Sequence, residues 1–298
     1  MVPEAHDWQN PPVKPTAPSP GLTLTSYKTY QAFKYVVYGL LTLNIGLFFA
    51  EEWAASGYRF SSGLGALDVI EAFAATIDTA AWVILLLMFE LETWVLDDRQ
   101  MTPRVSRALH LLRAVCYAFI VYAFYGYVTK LLFLHTAIPL AGIEDLCALV
   151  DGTWSYAVDL DEYTTLTLAN CASFASAGSF WQFPGLTAAV DDAGLTSIVR
   201  LAWVDVINSG VWLLVVAVLE IDVRLQEHGR LTGGILRAST VSKYVLYSAL
   251  FLAAVYWGLK GDFVDFWDAF LWLVAFVFIE MNVFEWRRES LEGAPDGH

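Results

Sequence analysis

The chain has 298 residues, 57% of them hydrophobic and only 16% charged, with twelve tryptophans and a formal net charge of −14. That apolar excess, gathered in long blocks, excludes an ordinary soluble domain. The negative charge argues against a nucleic-acid partner, whose phosphates it would repel. The chain reads as an all-α polytopic protein of the lipid bilayer.

Residues 1–26 are polar and proline-rich, with Pro3, Pro11, Pro12, Pro15, Pro18 and Pro20. They lack the apolar centre of a cleavable signal and read as a disordered cytoplasmic tail. Six apolar runs follow, at about 34–50, 69–91, 111–134, 198–221, 241–259 and 264–284. Runs of roughly 20 residues cross a hydrocarbon core about 30 Å thick as helices. Three spans fall within 27–135 and three within 197–290, and a second cytoplasmic tail is expected at 291–298.

Between the two sets of spans, 136–196 is expected to form an extracytoplasmic cap loop. Its Cys147 and Cys171 are expected to pair as a disulfide in an oxidising compartment. Trp154, Tyr156, Phe180, Trp181 and Phe183 suffice for a small cap with short helices. Cys116, inside the third span, reads as a packing residue.

Lysine and arginine set the orientation. With six spans, Lys14, Lys28, Lys34, Arg99, Arg104, Arg107, Arg113, Arg224, Arg230, Arg237, Lys243, Arg287 and Arg288 share one side. Only Arg59, Lys130, Arg200 and Lys260 fall on the other. Both termini are therefore expected in the cytoplasm, with the protein in the plasma (inner) membrane. The outer side gathers Glu51, Glu52, Asp68, Asp159, Asp161, Glu162 and Asp262, among other acids. Such a mouth concentrates cations, although acidic residues also simply keep loops solvated.

Three of the runs share a pattern. IDTAAWVILLLMFELE, INSGVWLLVVAVLEID and WDAFLWLVAFVFIEMN align without gaps on their tryptophans, at 77–92, 207–222 and 267–282. The shared positions are Asp78/Asn208/Asp268, Trp82/Trp212/Trp272, Glu90/Glu220/Glu280 and Glu92/Asp222/Asn282. Lys34, Arg113 and Lys243 begin a second pattern in the odd-numbered spans, with Val at the second following position and Tyr38, Tyr117 or Tyr247 at the fourth. The unit is a two-helix hairpin, and three parallel copies predict a pseudo-threefold bundle. Mitochondrial carriers also stack three two-helix repeats. The odd spans here end in FFAEEW, YVTKLLF and GLKGDF, without the proline of theirs, so the chain does not resemble them.

At 100° per residue the Asp, Trp and Glu positions occupy one helix face, with Asp78 and Glu90 about 18 Å apart along the axis. Carboxylates within a span are costly and mark functional sites by default. Asp78, Asn208 and Asp268 form an outer layer, and Glu90, Glu220 and Glu280 an inner one. These six are the candidate cation pathway, with Trp82, Trp212 and Trp272 as an aromatic layer between. The bland alternatives are that each inner glutamate pairs with Lys34, Arg113 or Lys243 to pin helices, and that the tryptophans only pack.

No metal site, cofactor or catalytic residue is expected. His6, His110, His135, His228 and His298 are scattered, GRLTGG at 229–234 lacks the lysine of a phosphate loop, and no nucleophile–base pair is visible. Two functions remain. One is a scaffold, sensor or accessory subunit with membrane-protein partners or a second copy of itself. The other is ion transport, a cation channel or transporter along the pseudo-threefold axis.

Overall fold

The structure is a computed structural model that describes residues 24–59, 65, 68–92, 102–150, 152–174, 179–228 and 230–276. Long apolar sequences of good helix formers give long helices. α1 (Leu24–Arg59) and α6 (Asp192–Glu227) each run 36 residues, about 54 Å, and so outreach the apolar runs that seed them. α4 (Pro103–Leu134) and α7 (Gly233–Lys260) have 32 and 28 residues. A short α2 (Asp68–Ala72) leads into α3 (Ala74–Glu90), and an eighth helix, α8, occupies 263–276.

The helix ends follow from local chemistry. α4 starts where the Thr102 hydroxyl accepts from Val105 N–H at 3.4 Å and Pro103 fills the first turn. α3 has no cap of its own at Phe73. Glu52 of α1 supplies one, accepting from Ala75 N–H at 2.8 Å and from Thr76 N–H and hydroxyl at 3.0 and 2.6 Å. Glu52 is thus buried as a helix cap and does not belong to the acidic mouth. Gly261, at φ 87°, takes the left-handed conformation that ends α7 and turns the chain into α8.

Among the described residues four helices are long and apolar enough to cross a membrane, over Thr29–Arg59, Pro103–Leu134, Asp192–Gln226 and Gly233–Lys260. Their outer faces carry exposed large apolar side chains, including Phe33, Leu43, Leu111, Val121, Leu214 and Leu252. A soluble protein does not leave apolar surface of this extent to water. Of the other two expected spans, the second coincides with α3, at 17 residues just short of that length, and the sixth begins with α8, residues past 276 lying outside the described ones.

The cap is not built of short helices alone. It holds a five-stranded sheet in the order β1-β4-β5-β2-β3, from Ile138–Pro139, Phe180–Gln182, Ala188–Asp191, Ser155–Ala157 and Tyr163–Thr165. β2 and β5 run parallel and the other neighbours antiparallel. A 3-10 turn, Leu146–Leu149, and α5, Cys171–Phe174, are joined by the Cys147–Cys171 disulfide. Closing a loop of 24 positions stabilises by about 3 kcal/mol in the chain-entropy account.

Cap and bundle share one core. Leu146, Leu166, Phe180 and Val190 of the cap cluster with Leu134, Ile198 and Trp257 of the helices. β5 runs directly into α6 at Asp191, whose carboxylate accepts from Gly194 N–H at 2.7 Å and from the Tyr156 hydroxyl at 3.0 Å. Gly194 is required there, since a Cβ would meet Val190 Cγ2 at 2.7 Å. Lys130 of α4 binds Asp161 of the cap at 2.6 Å, and Tyr58 of α1 stacks on Tyr163 at 5.4 Å.

Candidate functional site

The three repeat tryptophans meet. Ring centroids lie 5.8 Å apart for Trp82–Trp212, and 6.3 Å for both Trp82–Trp272 and Trp212–Trp272. The planes cross at 52°, 65° and 65°. Offset, tilted rings at this range attract through edge and face. The result is an indole triangle with one member each from α3, α6 and α8, packed beside Leu41, Val215 and Leu250.

On the cap side of the triangle is a cavity of about 50 Å³, room for a few waters. Asp78, Asn208 and Asp268, each four positions before its tryptophan, all line it. Thr79, Ser209 and Ala269 stand beside them, one position on. The other side of the wall is Phe48, Tyr127 and Trp257, from α1, α4 and α7. These three occupy one register too, each the same distance along the chain from Lys34, Arg113 or Lys243. The lining therefore holds sets of three at matched chain positions, one set from α3, α6 and α8 and one from α1, α4 and α7.

Two carboxylates of the wall escape the sequence reading. Asp205 and Asp265 line the same cavity, one turn closer to the cap than Asn208 and Asp268. Each stands seven positions before a repeat tryptophan, where the first hairpin has Ala75. That match in two copies of three was the available signal. Asp205 feels Lys130, Asp161, Asp262 and Asp159, and Asp265 feels Asp262 and Asp205. Acidic groups thus run from the cap, through Asp159, Asp161 and Asp262, to the cavity floor.

The floor is hydrogen-bonded unevenly. Asn44 of α1 donates its amide to Asp268 at 2.8 Å. Trp82 and Tyr127 stand near Asp78, and Trp272 near Asp268. Asp78 Oδ1, Asn208 Oδ1 and Asn44 Oδ1 are buried without a partner among the described residues. Thr76, a candidate partner for Asp78, is bonded to Glu52 instead. No three His, Cys, Asp or Glu side chains converge to hold a metal ion among the described residues.

In the cap, Asp159 and Asp161 are shifted in opposite directions. Burial pushes the Asp159 carboxyl from its ordinary 3.8 to about 6, with Asp262 and Asp161 adding repulsion against the pull of the Leu160 N–H. Burial alone would raise Asp161, but Lys130 and Arg59 outweigh it and hold that carboxyl below its ordinary value.

At the opposite end of the bundle, the expected ion pairs form with a changed assignment. Lys34 meets Glu90 at 2.6 Å, fully buried, and the Tyr35 hydroxyl joins at 3.1 Å. Arg113 takes Glu92 at 2.8 Å and Lys243 takes Asp222 at 2.7 Å, the acids two positions beyond the repeat glutamates. Glu220 is half exposed and, among the described residues, reaches only Arg224, at 3.7 Å. Among those residues it neither pins a neighbouring helix nor lines the cavity. Glu280 lies outside the described residues.

Apolar helices long enough to span, an apolar outer face and polar groups turned inward define a polytopic membrane protein. Compared with known family models, curated proteins and solved structures, the chain matches none.

Proposed function

We propose that the protein passes a cation across the membrane through the carboxylate cavity, with the indole triangle as the constriction that must part. In this reading α3 and α8 complete six spans, and the hairpins α1–α3, α4–α6 and α7–α8 stand around a pseudo-threefold axis. The termini lie in the cytoplasm and the cap outside the plasma membrane, as the lysine and arginine distribution favours.

The single observation that carries the reading is the cavity itself. Asp78, Asp205, Asp265 and Asp268 share it with Asn208, deep in an apolar bundle. A fold that needed only a stable bundle would fill this space with apolar side chains, because charges inside a membrane are costly. The acids of the cap would gather cations at the entrance.

The triangle favours a second reading. It closes the axis, and the ion pairs at the far end pin the helices, as in a scaffold or sensor that binds a cation without moving it.

Uptake into proteoliposomes separates the two. Sodium, potassium, calcium, ammonium and protons would each be followed into vesicles holding the wild type or the Asp78→Asn/Asp268→Asn double variant. The transport reading expects uptake above empty vesicles for at least one of them, largely lost in a variant that remains folded. Wild-type vesicles silent to all of them would leave the scaffold or sensor.

A further inference from the structure

We propose that the ligand of this cavity is a small ammonium cation, either ammonium itself or a methylated amine of one or two carbons. The inference rests on the reading that the cavity takes a cation, and it names the class. Three features of the wall carry it.

The first is the surplus of acceptors. Asp78 Oδ1 and Asn208 Oδ1, both on lining residues, are buried without donors among the described residues. Asn44, outside the lining, gives one amide N–H to Asp268. Buried acceptors of this kind call for N–H or O–H donors, and an ammonium group of this class brings two to four on one atom. The Trp257 indole N–H also lacks a partner among the described residues and fits a water beside the ligand.

The second is the aromatic share of the wall. Phe48, Tyr127, Trp257, Trp212 and Trp272 all line the cavity. Ring faces attract cations that shed water easily, and indole does so best. A calcium or magnesium ion instead needs six or more oxygens at short range, whereas no three acidic side chains converge to hold a metal ion among the described residues.

The third is size. About 50 Å³ holds an ammonium or methylammonium with a water or two. It has no room for a quaternary amine with ethyl arms.

Calorimetric titration of the purified full-length protein tests this, with ammonium, methylammonium, tetraethylammonium, sodium and calcium chlorides at one ionic strength. Ammonium and methylammonium should bind saturably at one per chain, and excess sodium should not displace them. Asp78→Asn, isosteric and checked for an unchanged melting temperature, should weaken binding at least tenfold. Trp257→Phe should retain most of the affinity and Trp257→Leu should lose several-fold, a difference that a purely structural role would not produce. Sodium or calcium binding with equal or greater affinity would overturn the inference while leaving the cation reading in place. Tetraethylammonium binding as well as methylammonium would also overturn it, since that ligand cannot enter. If no cation bound at all, both would fall.

Discussion

Lys243, near the start of α7, holds Asp222, near the end of α6, at 2.7 Å. Arg113 holds Glu92 at 2.8 Å across the same separation of 21 positions. One pair ties α7 to α6, and the other ties α4 to the chain just past α3. The third equivalent acid would be residue 282, which is Asn282 and offers no charge. Lys34 of α1 turns to Glu90 of α3 instead. The cost of breaking these pairs should follow their burial. Lys34→Met strands a buried carboxylate and should cost about 3–5 kcal/mol. Arg113→Met removes a pair whose side chains are 34% and 24% exposed and should cost about 1 kcal/mol or less. Thermal unfolding in detergent reads the order, and equal costs would contradict it. The swap Lys243→Asp with Asp222→Lys should recover much of what either single change loses.

The cap should carry a pH dependence set by Asp159. Its carboxyl keeps a proton in the folded state up to about 6, against an ordinary value of 3.8. Between those values the folded chain binds more protons than the unfolded one, so stability falls as pH rises through the window and stays lower above it. Asp159→Asn should therefore melt higher than the wild type at pH 7.5, and the advantage should shrink as pH drops from about 6 towards 3.8. Asp161 has the opposite sign, because its stabilising pair with Lys130 is lost as pH falls through its lowered value. A variant advantage independent of pH would contradict the assignment.

Gly194 should be intolerant of the smallest side chain. An alanine Cβ would lie 2.7 Å from Val190 Cγ2 and 2.8 Å from Asp191 Oδ1, within the turn that joins sheet to helix. Overpacking of this kind costs about 1–3 kcal/mol. Gly194→Ala should therefore open the cap to protease at a lower temperature than the wild type, while Gly39→Ala, with nothing near its Cβ, should not. Equal protease resistance in the two variants would mean the joint can relax.

What the sequence made legible is a shared spacing. The tryptophan spacing brought Asp78, Asn208 and Asp268 to one cavity and Trp82, Trp212 and Trp272 to one triangle, because a helix keeps fixed offsets on a fixed face. The basic positions were legible for the same reason, although their partners were not. Whether Lys243 chooses Glu220 or Asp222 depends on helix rotation, which spacing alone leaves open. Phe48, Tyr127 and Trp257 differ in type from hairpin to hairpin, so only their shared register connects them. The cap sheet was illegible because strands of two to four residues are too short to show an alternating pattern. Glu52 was misplaced because a carboxylate near a helix end gives no sign of whether it meets water or a neighbouring N-terminus.

The measurement closest to the central claim reads the cavity's affinity for positive charge. In proteoliposomes carrying Ser209→Cys with Cys116→Ala, the new thiol stands in the cavity wall, and Cys147 and Cys171 are occupied with each other. Two methanethiosulfonates, an aminoethyl cation and a sulfonatoethyl anion, would be applied and their rates compared with those at an exposed control cysteine. The account predicts that the cation reacts at least about tenfold faster than the anion after that correction, and that ammonium slows it. Equal corrected rates, or a thiol that neither reagent reaches, would contradict a cation-accepting cavity at this position.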